Sequence, residues 1–262
     1  MNLDDHVDEQ RKSSLRRRGV YILPNLMTTA SMFAGFLGMT MAINGAYESA
    51  AWAVLVSCVL DGLDGKIARL THTASEFGVQ LDSLADLVAF GVTPALLTYL
   101  WQLRAYGRLG LMACFLFMAC AALRLARFNV QTSSAGKLLF TGLPTPAAGC
   151  TLATLVLFHE TLPPSAVHAI MAPLCLILAY GLSFLMVSKI RYFAFKEYGW
   201  FKAHAMGSLV TAVLLFVLVA SEPALLLFPI FAFYMVSGIV YTFIVLPRRR
   251  PRLLGDQSQG LS

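Results

Sequence analysis

Four aspartates, Asp61, Asp64, Asp82 and Asp86, fall in the run 61-DGLDGKIARLTHTASEFGVQLDSLAD-86, with long apolar stretches on either side. A carboxylate at the centre of a membrane helix costs roughly 3 kcal/mol, so four placed deep would cost about 12 kcal/mol. That rivals the whole net stability of a typical domain, about 5–15 kcal/mol. Such a group needs neutralising, and divalent cations are the simplest means. Asp61 and Asp64 are three apart and Asp82 and Asp86 four apart, spacings that put each pair on one face of a helix. Two neighbouring helices then present four carboxylates to one cleft. Oxygen ligands suit hard ions. With no His or Cys expected in the cluster, the choice is Mg²⁺ or Mn²⁺ rather than Zn²⁺. Two such ions per site can clamp a phosphoryl group during in-line displacement. Gly62, Gly65 and Gly78 leave room for a phosphate or nucleotide near the backbone, and Arg69 offers a planar cation for phosphate.

The elements that must carry these residues are membrane helices. Of 262 residues, 58% are hydrophobic and 13% charged, against about 25% charged in soluble domains. The mean hydropathy is +0.69. A spanning helix needs about 20 apolar residues. Eight stretches qualify: 22–44, 47–66, 78–101, 109–128, 142–161, 166–188, 204–221 and 224–246. The fold class expected is all-α, a polytopic transmembrane bundle of about eight spans, with a six-helix catalytic core plus two. The aspartate run then covers two helix ends and a short connection. With the N-terminus in the cytoplasm, eighteen of the twenty Lys and Arg fall on the inner side, and only Arg104 and Arg108 fall outside. This bias places both termini and the aspartates at the cytoplasmic face of the cell membrane. A six-span reading gives the same orientation. The net charge of +6 follows from that bias and carries no nucleic-acid signal. The domain plan is a surface segment at 1–20, a catalytic membrane core at 21–190, further transmembrane helices at 191–247 and a basic tail at 248–262. Asp4, Asp5, Asp8 and Glu9 argue against a cleaved leader. The five cysteines lie in apolar segments without metal-binding spacing, so neither disulfides nor zinc are expected.

The run D61-G-L-D64-G65-K-I-A68-R69, then eight residues, then G78-V-Q-L-D82-S-L-A-D86, resembles the signature of the CDP-alcohol phosphotransferases, D-x2-D-G-x2-A-R-x8–9-G-x3-D-x3-D. Every fixed position is met. The resemblance implies transfer of a substituted phosphate from a CDP-linked donor to an alcohol, with release of CMP. It implies metal ligation by Asp61, Asp64, Asp82 and Asp86, with Asp86 also the general base for the acceptor hydroxyl. It further implies a cytidine and phosphate site lined by Gly62, Gly65, Ala68, Arg69 and Gly78, and a homodimer.

Three further segments, 24-PNLMTTASMFAGF-36, 123-LRLARFNVQ-131 and 140-FTGLPTPAAG-149, resemble the membrane-embedded bacterial phosphatidylserine synthases within that family. The implied substrates are CDP-diacylglycerol and L-serine, in a surround of membrane lipid. Asn25 and Thr28 are compatible with donor binding. Serine brings a carboxylate that needs a cation. Arg124 and Arg127, three apart on one helical face, with Asn129 and Lys137 beyond them, are the acceptor-binding candidates. Glycerol 3-phosphate, inositol phosphate and choline are the alternative acceptors. A cation transporter built on intramembrane carboxylates is the remote alternative, and it leaves the Gly, Ala and Arg spacings unexplained. His72 reads as an exposed loop residue, and His159 and His168 fall on the outer side.

Overall fold

Helix α1 (Pro24–Ile43) starts on a proline, a residue suited to the first turn because its missing N–H has no partner to lose there. This structure is a computed structural model, and it describes residues 24–71, 75–134, 142–190, 192 and 205–245. The segments expected at 1–20 and 248–262 lie outside the described residues, as do Lys137 and His72. Seven further helices follow among the described residues. They are α2 (Tyr47–Thr71), α3 (Glu76–Trp101), α4 (Arg108–Ser134), α5 (Thr145–Glu160), α6 (Pro164–Val187), α7 (Ala205–Ser221) and α8 (Pro223–Val240). No strand occurs among the described residues. The chain is an all-α bundle, as its composition requires. In a membrane, a helix satisfies its own backbone hydrogen bonds.

Five of the helices are long and apolar enough to cross a membrane: α1, α3, α4, α6 and α8. Helices α5 and α7 have 16 and 17 residues, and α2 carries Glu48, Asp61, Asp64, Lys66 and Arg69. The elements expected from sequence appear in the expected order, but α2 and α4 run longer. Helix α2 continues past its carboxylates to Thr71, and α4 extends to Ser134. The α4 extension is mostly polar and the α2 extension follows the charged run Asp61–Lys66 and includes Arg69, so an apolar-run criterion stops short of both. Side chains such as Phe33, Val59, Phe115, Ile177, Phe216 and Phe233 are exposed around the bundle, as befits a protein whose outer solvent is lipid. Together these features describe an integral membrane protein.

Helix α5 is the buried centre. Leu152, Leu155, Val156 and Leu157 are at most 1% exposed. One core cluster joins α5 to α4 and α6 through Phe117, Leu182 and Met186. The other joins it to α2 and α3 through Val54, Phe90 and Leu97. Small residues let the backbones approach, the usual device where lipid removes any hydrophobic drive between helices. A Cβ at Gly35 would lie 2.8 Å from Ala89 Cα, and one at Gly149 would lie 2.7 Å from the Phe90 carbonyl oxygen. Buried Ser31 and Ser57 pin α1 to α2. Their hydroxyls are 2.7 Å apart, and each also lies near the other residue's carbonyl oxygen, at 3.0 and 2.9 Å. This clasp sits one turn before Asp61.

Just after Asp86, α3 widens into a π-helical stretch, Leu87–Val92, and resumes as an α-helix at Thr93. Pro94 follows at once, and its ring cannot take a place in a regular helix interior without losing a hydrogen bond. Thr93 Oγ1 lies 2.8 Å from the Val88 carbonyl oxygen and 3.0 Å from that of Gly35, so one hydroxyl stitches the widened turn to α1. The extra residue rotates the rest of α3 by about 100° relative to a continuous helix. The Asp82–Asp86 face therefore looks into the cleft, while Thr93 and Leu97 face the core.

Candidate active site

The aspartates converge as their spacing requires. Ligand oxygens from Asp61, Asp64 and Asp82 lie within 4.8 Å of one another. The Asp86 carboxyl is in hydrogen-bonding contact with that of Asp61, and its Oδ1 is buried without a hydrogen-bond partner among the described residues. No cationic side chain forms an ion pair with the four among the described residues. Like charges this close repel strongly in a partly desolvated cleft. An orphaned carboxylate oxygen beside three convergent carboxylates fits a hard divalent cation, and nothing softer than oxygen is in the set. The residues present therefore suit the metal that the motif implies.

Each carboxylate has its own support. Asp64 is 4% exposed and accepts a 2.8 Å hydrogen bond from Thr28 Oγ1, which also lies 3.1 Å from the Pro24 carbonyl oxygen. Thr28, a donor-binding candidate by resemblance, is thus engaged with a metal-ligand candidate. The α3 pair is set by the start of its helix. Ser75 caps α3 by accepting the Gly78 N–H at 3.0 Å, satisfying one of the free donors of the first turn. A Cβ at position 78 would lie 3.3 Å from Asn25 Oδ1 and 3.1 Å from Ser75 Oγ. Glycine there lets the start of α1 close on the start of α3. Gly62 and Gly65 differ: both are exposed, and a Cβ on either would meet nothing within 4 Å. Helix packing within this chain does not account for them, and open space beside the carboxylates does suit a bound nucleotide. Ala68 and Arg69 lie on the last turns of α2, and their side chains are outside the described set.

The acceptor candidates separate. Arg124 projects from α4 within electrostatic reach of Asp86. Its Nη1 donates to Thr145 Oγ1 at 3.0 Å, and its Nε is buried with no partner among the described residues. Thr145 opens α5 in the GLPTP segment, whose entry depends on Gly142 at φ 90°. Its neighbour Leu143 donates its N–H to the Leu185 carbonyl at 3.0 Å. The two sequence segments thus meet in one contact. Arg127 is exposed. Asn129 spans to α3, donating from Nδ2 to Gln80 Oε1 at 2.9 Å and accepting at Oδ1 from Ser83 Oγ at 3.1 Å. Those partners flank Asp82, so Asn129 braces the carboxylate-bearing turn. Ser75, Gln80, Ser83 and Thr145 had no place in the sequence reading. Of these, only Ser75 carried a local signal, a serine just before an acidic first turn. His159 stacks edge-on against Trp101 at the far end of α3, with ring centroids 5.2 Å apart.

Comparison with known proteins gives the arrangement its relatives. The chain is 39% identical over 222 residues to the CDP-diacylglycerol–serine O-phosphatidyltransferase of Helicobacter pylori strain J99, covering 84% of this chain and 91% of that protein. It is 32% identical over 176 residues to the protein of that name from Bacillus subtilis strain 168, covering 67% and 92%. It is 34% identical over 174 residues to an archaetidylserine synthase of Methanothermobacter thermautotrophicus, covering 65% and 69%. The family model for CDP-alcohol phosphatidyltransferases matches residues 21–185, a stretch that holds all four aspartates, Arg124 and Thr145. On that match, and on a carboxylate cluster built as its motif demands, the chain belongs to the CDP-alcohol phosphatidyltransferase family.

Proposed function

We infer that this protein is a membrane-embedded enzyme that transfers the phosphatidyl group of CDP-diacylglycerol to the hydroxyl of L-serine and releases CMP. The observation that carries this reading is the convergence of Asp61, Asp64 and Asp82 with Asp86 in contact beside them, in a chain whose bacterial relatives bear the name of that activity. The archaeal relative's name shares serine but not the diacylglycerol donor, which favours serine over glycerol 3-phosphate, inositol phosphate or choline.

The serine oxygen attacks the lipid-bearing phosphorus, and the bond from that phosphorus to the CMP oxygen breaks. The hydroxyl proton goes to Asp86, and CMP leaves with the bond's electron pair. Asp61, Asp64, Asp82 and Asp86 would hold two divalent ions, Mg²⁺ or Mn²⁺, which when bound neutralise charge on the phosphoryl oxygens. Thr28 keeps Asp64 turned toward the cluster. Asn129 holds the α3 turn on which Asp82 sits. Gly62 and Gly65 leave the cytidine side open, Gly78 lets Asn25 of α1 close against the start of α3, and Ala68 and Arg69 complete the nucleotide side. Arg124, held by Thr145, presents its remaining donors to the serine carboxylate, which orients the hydroxyl toward Asp86. The site faces the cytoplasm, where serine is dissolved, and the protein works as a homodimer.

Purified protein with Mn²⁺ or Mg²⁺ and CDP-diacylglycerol, offered labelled serine, glycerol 3-phosphate, inositol phosphate and choline in turn, tests this directly. Labelled phosphatidylserine with one CMP per product is expected. CMP release only with another acceptor would move the protein elsewhere in its family, and no CMP with any would remove the activity.

A further inference from the structure

The first half of α3 bears two of the four carboxylates, yet apolar packing does little to hold it. Between Glu76 and Asp86 only Ala85 is buried, and Phe77, Val79 and Leu84 are exposed. Its carboxylates converge on those of α2, and without a cation between them like charges at this range push the two helices apart. Helix α4 supplies the restraint, touching α3 at two levels that bracket the carboxylates. One level lies beyond Asp86, where a Cβ at Gly91 would be 3.3 Å from Ala121 Cβ. At the other, Asn129 donates from Nδ2 to Gln80 Oε1 at 2.9 Å and accepts at Oδ1 from Ser83 Oγ at 3.1 Å. Ser83 Oγ also lies 3.1 Å from the Val79 carbonyl oxygen, which ties the bridge to the helix backbone. Gln80 stands two residues before Asp82 and Ser83 one after it.

Both ends of the Asn129 amide are thus engaged on α3. The contact exists because α4 runs past its apolar stretch to Ser134. We propose that Asn129 is a positioning residue for the divalent-metal site rather than a ligand of the acceptor: with Gln80 and Ser83 it locks the Asp82 turn in register with Asp61 and Asp64 before the cation arrives. A neutral amide suits the task, because a Lys or Arg at this place would compete with the metal for the carboxylates. A site held ready in this way binds its ion without first drawing two helices together. This rests on the aspartates holding divalent metal, and it is independent of which alcohol accepts the phosphatidyl group.

Mn²⁺ binding to the purified protein in detergent, without substrates, can be read from the loss of the free-ion electron paramagnetic resonance signal. Asn129→Ala should weaken it about tenfold, the low end for groups that orient metal ligands. Gln80→Ala and Ser83→Ala, on the other side of the bridge, should each weaken it in the same sense, and Ser83→Thr, which keeps the hydroxyl, should not. Asn129→Ala combined with Gln80→Ala should bind Mn²⁺ no more weakly than Asn129→Ala alone, because one bridge is lost in both. Without metal Asn129→Ala should melt near the parent, and it should gain less from added Mn²⁺. At saturating Mn²⁺ its apparent KM for L-serine should stay within about twofold. Parent-like Mn²⁺ affinity in Asn129→Ala would overturn the proposal. So would a raised serine KM with normal Mn²⁺ binding, which would return Asn129 to the acceptor. Asp82→Asn separates the two layers. If it weakens Mn²⁺ binding while the bridge variants do not, only the role of Asn129 falls. If it leaves Mn²⁺ binding at the parent's value, the metal reading of the cluster falls and the proposal with it.

Discussion

Asp86 is the residue on which the proposed chemistry turns, because it is both orphaned at Oδ1 and closest in role to the acceptor. An amide cannot take the hydroxyl proton. Asp86→Asn is expected to lower turnover at least about 100-fold, within the usual span for losing a general base, while CDP-diacylglycerol still binds. Near-full turnover of that variant at saturating Mn²⁺ would end the base assignment. Thr28 makes a subtler case. Its hydroxyl is the one side-chain donor seen on Asp64 among the described residues. Thr28→Val keeps the shape and removes the bond, so the Mn²⁺ concentration for half-maximal activity should rise about 10–100-fold, as with other groups that orient metal ligands. An unshifted Mn²⁺ titration with a raised donor KM would instead return Thr28 to the nucleotide side. The carboxylate identities and spacings were legible in the sequence. The hydroxyl behind Asp64 was not, because it comes from 36 residues earlier in the chain and no local pattern links the two.

At the scale of elements, α3 shows how one helix serves two surroundings. Its first half carries Asp82 and Asp86 to the carboxylate cleft, and its second half is buried against α1 and α5. The π-helical stretch between them supplies the rotation, and Thr93 closes it. Thr93→Val removes the hydroxyl shared by the Val88 and Gly35 carbonyls and should lower the stability in detergent by about 1 kcal/mol. It should also lower turnover, because Asp82 and Asp86 ride on the loosened segment. Thr93→Ser keeps the hydroxyl and should stay near the parent on both counts. Equal behaviour of Val and Ser in melting temperature would show that the hydroxyl holds nothing. The existence of this helix follows from its apolar run, but the widened turn does not. Pro94 marks a disturbance in the sequence without saying whether the helix kinks, ends or widens there.

At the scale of the whole molecule, the distribution of basic residues argues for one orientation in the membrane. Eighteen of twenty Lys and Arg lie on the aspartate side of the expected spans, a bias that sets topology during insertion. In a cysteine-free background, Asn44→Cys, in the exposed turn between α1 and α2, should react with a membrane-impermeant maleimide in intact cells. Ser258→Cys, in the C-terminal tail, should react only after permeabilisation. The opposite pattern would place the carboxylates outside, where the proposed substrates are not supplied.

Composition, apolar runs and the spacing of eight fixed residues determined the fold class, the order of the helices and the residues that meet at the cleft. Each of these is a local or periodic property: hydrophobicity accumulates along a segment, and i, i+3 and i, i+4 spacing defines a helical face before any packing occurs. Only the tertiary structure decided which neighbours complete the site. Thr28 against Asp64, Asn129 across to Gln80 and Ser83, Arg124 on Thr145, and Tyr192 on Tyr234 are contacts between segments far apart in the chain. They exist because small residues such as Gly35 and Gly149 let backbones close to contact distance. Which helix fills the space so created depends on the shape of the whole bundle and is written in no single stretch of it.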